Sequence, residues 1–181
     1  PQQAAAELLA RRQARRNLLD YTLTASIEPE PAEHHCLLID RLQRVGDGEI
    51  KNLMVFMPPG SAKSTYASVL FPSWYLGRFD GHKIIQAMYE SGLATQFGRK
   101  VRNLTEQDEY RRIFPNAGLT KDSKAKGEWE LQNGSAYYAC GVGAGVTGRR
   151  GDGAIVDDPV KGRKEADSET VRQSTKDWWE N

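Results

Sequence analysis

The chain has 181 residues, 39% hydrophobic and 27% charged, with 25 Lys and Arg against 24 Asp and Glu for a net charge of +1. That balance predicts one globular domain and excludes a disordered chain. No stretch approaches the ~20 apolar residues of a membrane span, and the arginine-bearing start lacks the apolar core and cleavage site of a secretory signal.

The first element in chain order is a helix over residues 4–20, with Leu8, Leu9, Leu18 and Leu19 separated by arginines. Pro29 and Pro31 break the chain, and a second helix from about Ala32 to Val45 carries Leu37, Leu38 and Leu42 at helical spacing. Past Gly46, Asp47 and Gly48, the continuously apolar run Leu53–Met57 predicts a strand buried on both faces. A helix from Lys63 to about Leu76 follows, then a strand within His82–Tyr89, then a helix over Leu93–Leu104. Beyond Phe114 and Pro115, Trp129–Leu131 and Ala136–Cys140 flank the turn dipeptide Asn133-Gly134 and predict a hairpin. A glycine-rich loop, Gly141–Gly153, leads into the apolar strand Ala154-Ile155-Val156, which ends at Asp157 and Asp158. Strands alternating with helices predict an α/β fold with a mainly parallel, doubly wound sheet that binds ligands at the carboxyl ends of its strands. Residues 1–48 read as an N-terminal helical segment and 49–181 as the α/β core. The absence of an initial methionine and the end inside an amphipathic helix read as a fragment.

The order apolar strand, Pro58-Pro59-Gly60-Ser61-Ala62-Lys63-Ser64-Thr65, helix is that of a phosphate-binding loop. The chemistry requires it: backbone N–H groups of the turn and helix N-terminus converge on an anion, and the helix dipole favours negative charge there. In this reading Pro59, Gly60, Ser61, Ala62, Lys63, Ser64 and Thr65 bind nucleotide, with Lys63 on the β and γ phosphates and the Ser64 hydroxyl on Mg²⁺. Met57 and Ala62 stand where the GxxxxGK[ST] pattern has glycine, so Ala62 demands either permissive geometry or an altered loop. Asp157 and Asp158 have the form of a Walker B strand end, Asp157 holding Mg²⁺ and Asp158 orienting the attacking water, with Glu165 and Asp167 as alternatives for the second role. Taken singly, the loop reads equally as a helix N-terminus and the acids as a solvated turn before Pro159. Together and in this order they predict nucleotide hydrolysis.

Beyond this pair the sequence resembles the ATPase domain of the large terminase subunit of tailed phages and prophages. The resemblance runs from about His34 to Trp179 and rests on several features: His34-His35 before the first strand, Met57–Ser64, Phe97-Gly98-Arg99, Tyr110–Pro115, the Gly141–Arg149 run, Asp157-Asp158-Pro159-Val160-Lys161, Ala166-Asp167-Ser168, and Trp178-Trp179. It implies a P-loop NTPase fold of the ASCE type and an ATP- and Mg²⁺-dependent motor that moves double-stranded DNA into a procapsid. The motor would act as a homo-oligomeric ring with portal protein and small terminase subunit, in the cytoplasm of the infected host. The coupling motif and nuclease expected of such proteins are not found in this sequence. Ring ATPases of this kind often complete a site with a neighbour's arginine, for which Arg149 and Arg150 are the best local candidates.

Cys36 and Cys140 belong to no ligand cluster, so neither a disulfide framework nor a zinc site is expected. His34 and His35 likewise lack metal partners, and contact with adenine or structural capping is the expectation. Tyr66, Trp74, Tyr75 and Phe79 read as core. Basic clusters at Arg11–Arg16, Arg99–Arg102 and Lys161–Lys164 could meet DNA or simply face solvent. Two other functions remain open: a helicase or other DNA-dependent ATPase, and a non-catalytic module with a degenerate phosphate loop.

Overall fold

A computed structural model describes residues 2–25, 30–123, 125–146 and 148–180; the expected break at Pro29 lies outside them. Instead of one helix over 4–20 there are two, α1 (Gln2–Arg16) and α2 (Leu18–Ala25). Asn17 divides them, because its side-chain oxygen accepts the Asp20 N–H at 3.0 Å and starts a new helix. The second expected helix is α3 (Glu33–Gly46), with Leu38 and Leu42 buried and Leu37 58% exposed.

α1 and α2 pack on α5 (Phe71–Arg78) and α7 (Asp108–Ile113), with α3 against α2, and the polar groups buried at this contact find partners, as burial requires. The Tyr21 hydroxyl lies 2.7 Å from Ser73 Oγ, the Tyr110 hydroxyl donates to the Ser73 carbonyl at 3.1 Å, and Trp74 Nε1 donates to the Ala14 carbonyl at 3.2 Å. Gly77 permits the close approach of α5 to α7, since a Cβ there would fall 2.6 Å from Phe114 Cδ2 and from the Tyr110 hydroxyl.

The sheet has four strands, β1 (Lys83–Met88), β2 (Glu128–Glu130), β3 (Ala136–Gly141) and β4 (Gly153–Val156), in the order β2-β3-β1-β4. β1 pairs in parallel with β3 and β4, while β2 and β3 form the expected antiparallel hairpin, so the sheet is mixed. Gly134 supplies the positive φ, 81°, that its turn needs. The apolar β1 is central, and α6 (Ser91–Thr105) packs over it and β3. After the sheet come α8 (Arg163–Ala166) and α9 (Glu169–Glu180). Trp178 of α9 is anchored by a 2.9 Å bond to the Ala144 carbonyl, and Trp179 is 60% exposed. Among the described residues no helix is long and apolar enough to cross a membrane.

The expected strand Leu53–Met57 does not join this sheet. Leu53, Val55 and Met57 pack against the core, whereas Met54 and Phe56 are 80% and 84% exposed. Alternation and apolarity give the run its strand character, but a strand exists only through its ladder. Among the described residues no backbone hydrogen bond from another strand reaches it, and β4 is bonded on its β1 side alone.

Candidate functional site

The chain enters the site through Pro58–Ser61, a turn closed by the Ser61 N–H on the Pro58 carbonyl at 3.3 Å. Proline at its second position and Gly60 at φ 79° at its third follow the type II pattern, which explains the Pro59-Gly60 pair. Ala62 comes next in the left-handed region, φ 55° and ψ 16°, and caps the helical run beginning with α4 (Lys63–Thr65). Ala62 thus keeps the backbone that glycine would adopt at this place in the loop, at a cost of about 1–2 kcal/mol for an L-residue. Relieving that strain outweighs the ~0.5–1 kcal/mol of extra chain entropy that glycine loses on folding. Ala62→Gly is therefore expected to leave stability unchanged or raise it by up to about 1 kcal/mol, a rise in Tm of about 2–4 °C. A thermal melt showing a clear loss would contradict this account of the loop.

The helix continues from α4 into a π turn, Tyr66–Leu70, before α5. Pro72 explains the irregularity, because it has no N–H for the Ser68 carbonyl one turn back, and the ladder re-pairs locally with Phe71 N–H on the Tyr66 carbonyl. Ser68, inside this turn and fully buried, donates from Oγ to Asp157 Oδ2 at 2.7 Å.

Asp157 and Asp158 follow β4. The Asp157 N–H extends the β1 ladder to the Ala87 carbonyl at 3.0 Å, and Tyr89 N–H holds the Asp158 carbonyl at 3.2 Å. Asp158 is in the left-handed region, φ 45°, which Asp tolerates better than most residues. Backbone strain of this kind concentrates at functional sites.

Lys63 Nζ lies 3.1 Å from Asp157 Oδ1 and 3.1 Å from Asp158 Oδ1, so the structure brings the loop lysine and both strand-end acids together. The Asp157 side chain is 6% exposed, that of Asp158 69%. Burial pushes the Asp157 carboxyl up, but hydrogen bonds from Ser64, Ser68 and Lys63, with the charge of Lys63, outweigh it and hold the group below its ordinary value. For Lys63, burial pulls the ammonium down, yet the hydrogen bonds and charges of Asp158 and Asp157 leave it above its ordinary value. The shifts of both partners favour the charged forms, a Lys63 ammonium on an Asp157 carboxylate.

The site also has unfilled hydrogen-bonding capacity. Among the described residues Ser61 Oγ is buried without a partner and no protein acceptor takes the N–H groups of Ala62, Lys63 or Ser64. A phosphate chain fits these donors, and a divalent cation fits the Asp157 and Ser64 oxygens. Thr65 continues the helix behind them.

Arg149 and Arg150 lie elsewhere. Arg149 donates to both carboxylate oxygens of Glu128 at 2.6 and 3.1 Å and stacks over Tyr138, 3.7 Å from the ring centre, on the β2–β3 side of the sheet. Arg150 is exposed. Neither touches Lys63 or Asp157 of its own chain among the described residues. Glu165 accepts the Lys161 N–H at 3.0 Å, and Asp167 sits 3.6 Å from Arg163.

The part of Ser68 is not legible in the sequence, and that of His35 only partly so. Ser68 carries no motif signal, since an isolated serine in an apolar helix reads as filler. His35, expected as a cap or an adenine contact, does accept the Ala32 N–H at 3.2 Å as a cap, but it also lies 3.1 Å from the Ser61 carbonyl. Tyr66, Trp74 and Tyr75 are buried as expected.

No curated protein and no solved structure matches the chain. The family model of the terminase large subunit, T4likevirus-type, N-terminal part, matches residues 54–181, from the segment before the loop to the end of α9. The match includes Lys63, Ser64, Ser68, Asp157 and Asp158 in one span, well over half of the sequence, and so the chain belongs to the terminase large subunit family, whose role is viral DNA packaging.

Proposed function

We propose that the chain binds and hydrolyses Mg·ATP to drive double-stranded DNA into a procapsid, with the 58–65 loop as Walker A and Asp157-Asp158 as Walker B of a P-loop NTPase. The observation that carries this reading is Lys63 held 3.1 Å from both acids, since the fold sets the loop lysine beside the strand-end carboxylates as phosphate and metal chemistry requires. Pro59, Gly60, Ser61, Ala62 and Thr65 shape the loop around the phosphates, and Lys63 exchanges its carboxylates for phosphate oxygens. Ser64 and Asp157 hold Mg²⁺, which when bound neutralises developing phosphate charge.

Asp158 is the acid that orients the attacking water, because it is exposed, held by Tyr89 at the end of β1, and adjacent to Asp157. Glu165 and Asp167 are engaged within their own turn, on the Lys161 N–H and on Arg163. Portal protein, small terminase subunit and a homo-oligomeric ring complete the assembly, which works in the cytoplasm of the infected bacterial cell. A concavity lined by Ser91, Thr95, Arg99 and Lys126 supports contact with a DNA backbone.

The non-catalytic alternative rested on Met57 and Ala62. Ala62 adopts the left-handed backbone glycine would take, which weakens that alternative. A fluorescent ATP analogue bound by the chain is expected to be displaced by ATP and ADP but not by AMP, whose single phosphate cannot span the loop. Absence of saturable binding would overturn the proposal.

A further inference from the structure

His35 belongs to α3, outside the residues matched by the family, yet it touches the loop. Its two ring nitrogens have assigned roles. The Ser61 carbonyl, 3.1 Å from Nε2, can only accept, so Nε2 carries the proton. The Ala32 N–H, 3.2 Å from Nδ1, can only donate, so Nδ1 offers its lone pair. The ring is the neutral Nε2–H tautomer, fixed from behind by the helix N-terminus. Its face is packed against Tyr66, ring centres 4.7 Å apart, and against His34 at 3.9 Å.

The bonded carbonyl belongs to the Ser61–Ala62 peptide. In a planar trans peptide the C=O and the following N–H point in opposite directions. Drawing the Ser61 oxygen toward α3 therefore turns the Ala62 N–H away from it. That N–H has no protein acceptor among the described residues, and the strained Ala62 follows directly. The buried, unpartnered Ser61 hydroxyl sits on the same residue.

We propose that His35 is a positioning residue for the phosphate loop: by holding the Ser61 carbonyl it fixes the peptide whose N–H, with the Ser61 hydroxyl, faces the phosphates. This rests on the nucleotide-site reading above. It assigns to the N-terminal helical segment a part in phosphate binding, and it separates His35 from a residue that stacks on the base.

The test uses Mg·ATP and Mg·tripolyphosphate, which has no base, with His35→Gln and His35→Asn. Glutamine can place an amide N–H near the position of Nε2, whereas asparagine keeps a nearer acceptor but loses that reach. Calorimetric titration is paired with thermal melts to confirm that each variant folds. His35→Asn is expected to weaken both ligands by about tenfold, the scale of one lost hydrogen bond, and His35→Gln to stay within about twofold of the wild type. Loss of ATP affinity with tripolyphosphate unchanged would make His35 a base contact and overturn the proposal. Equal losses in both variants, or a lower Tm with unchanged affinities, would overturn it too. The Lys63→Ala variant keeps the two claims separate: if the wild type binds neither ligand more tightly than this variant, the nucleotide site itself fails.

Discussion

Asp157→Ala is expected to abolish ATP turnover by the packaging assembly, a fall of at least about 10³-fold, because the carboxylate is at once the proposed metal ligand and the partner of three side chains. Lys63, Ser64 and Ser68 all converge on it. Alanine also strands the buried Ser68 hydroxyl, which costs about 1–3 kcal/mol of stability. The two effects separate in Asp157→Asn, which still accepts from Ser68 but carries no charge. Its Tm should stay within a few degrees of the wild type, about 1 kcal/mol, while turnover at saturating Mg·ATP is lost. Phosphate release measured beside a thermal melt checks both. An asparagine variant that keeps turnover would remove Asp157 from the metal site.

Arg149→Ala is expected to leave ATP affinity within about twofold and to cut turnover by about 10³-fold in the assembled ring, the scale of a lost arginine finger. In the structure Arg149 is held by Glu128 and Tyr138, so acting on a neighbour requires its release. That release gives up a bidentate ion pair and a ring contact together, about 1–2 kcal/mol for groups as exposed as Arg149 at 40% and Glu128 at 55%. Single-turnover hydrolysis with binding measured separately decides the matter. Full DNA-stimulated turnover in the variant would assign Arg149 to the β2–β3 surface alone, leaving the exposed Arg150 as the candidate.

Elements whose signal is local were legible in the sequence. β1 is a largely apolar run, Ile84, Ile85, Ala87 and Met88 around Gln86, the hairpin announces itself by Asn133-Gly134, and Leu38 and Leu42 mark the buried face of α3. Leu53–Met57 has an equally strong local signal and still forms no strand, because pairing depends on a neighbour that no local pattern specifies. The split at Asn17 was legible in principle, since a capping residue stood inside the expected helix.

The site divides in the same way. That Lys63, Ser64, Asp157 and Asp158 come together was legible from the loop and strand-end patterns, which set each pair side by side in sequence. Ser68 and His35 act across 89 and 26 positions, through a π turn and a packed helix, and only the fold brings them in. Ala62 illustrates a third case, a departure from pattern whose meaning lies in its backbone rather than its side chain.

The central claim is that Lys63 anchors the phosphates of Mg·ATP, and the most direct measurement is a calorimetric titration of Mg·ATP into the wild-type chain and into Lys63→Ala, each confirmed folded. Saturable binding by the wild type, weakened about 10- to 100-fold in the variant as expected for a lost charge-assisted hydrogen bond, is the predicted result. Equal affinity in the two proteins, or a folded wild type that binds no nucleotide, would contradict it.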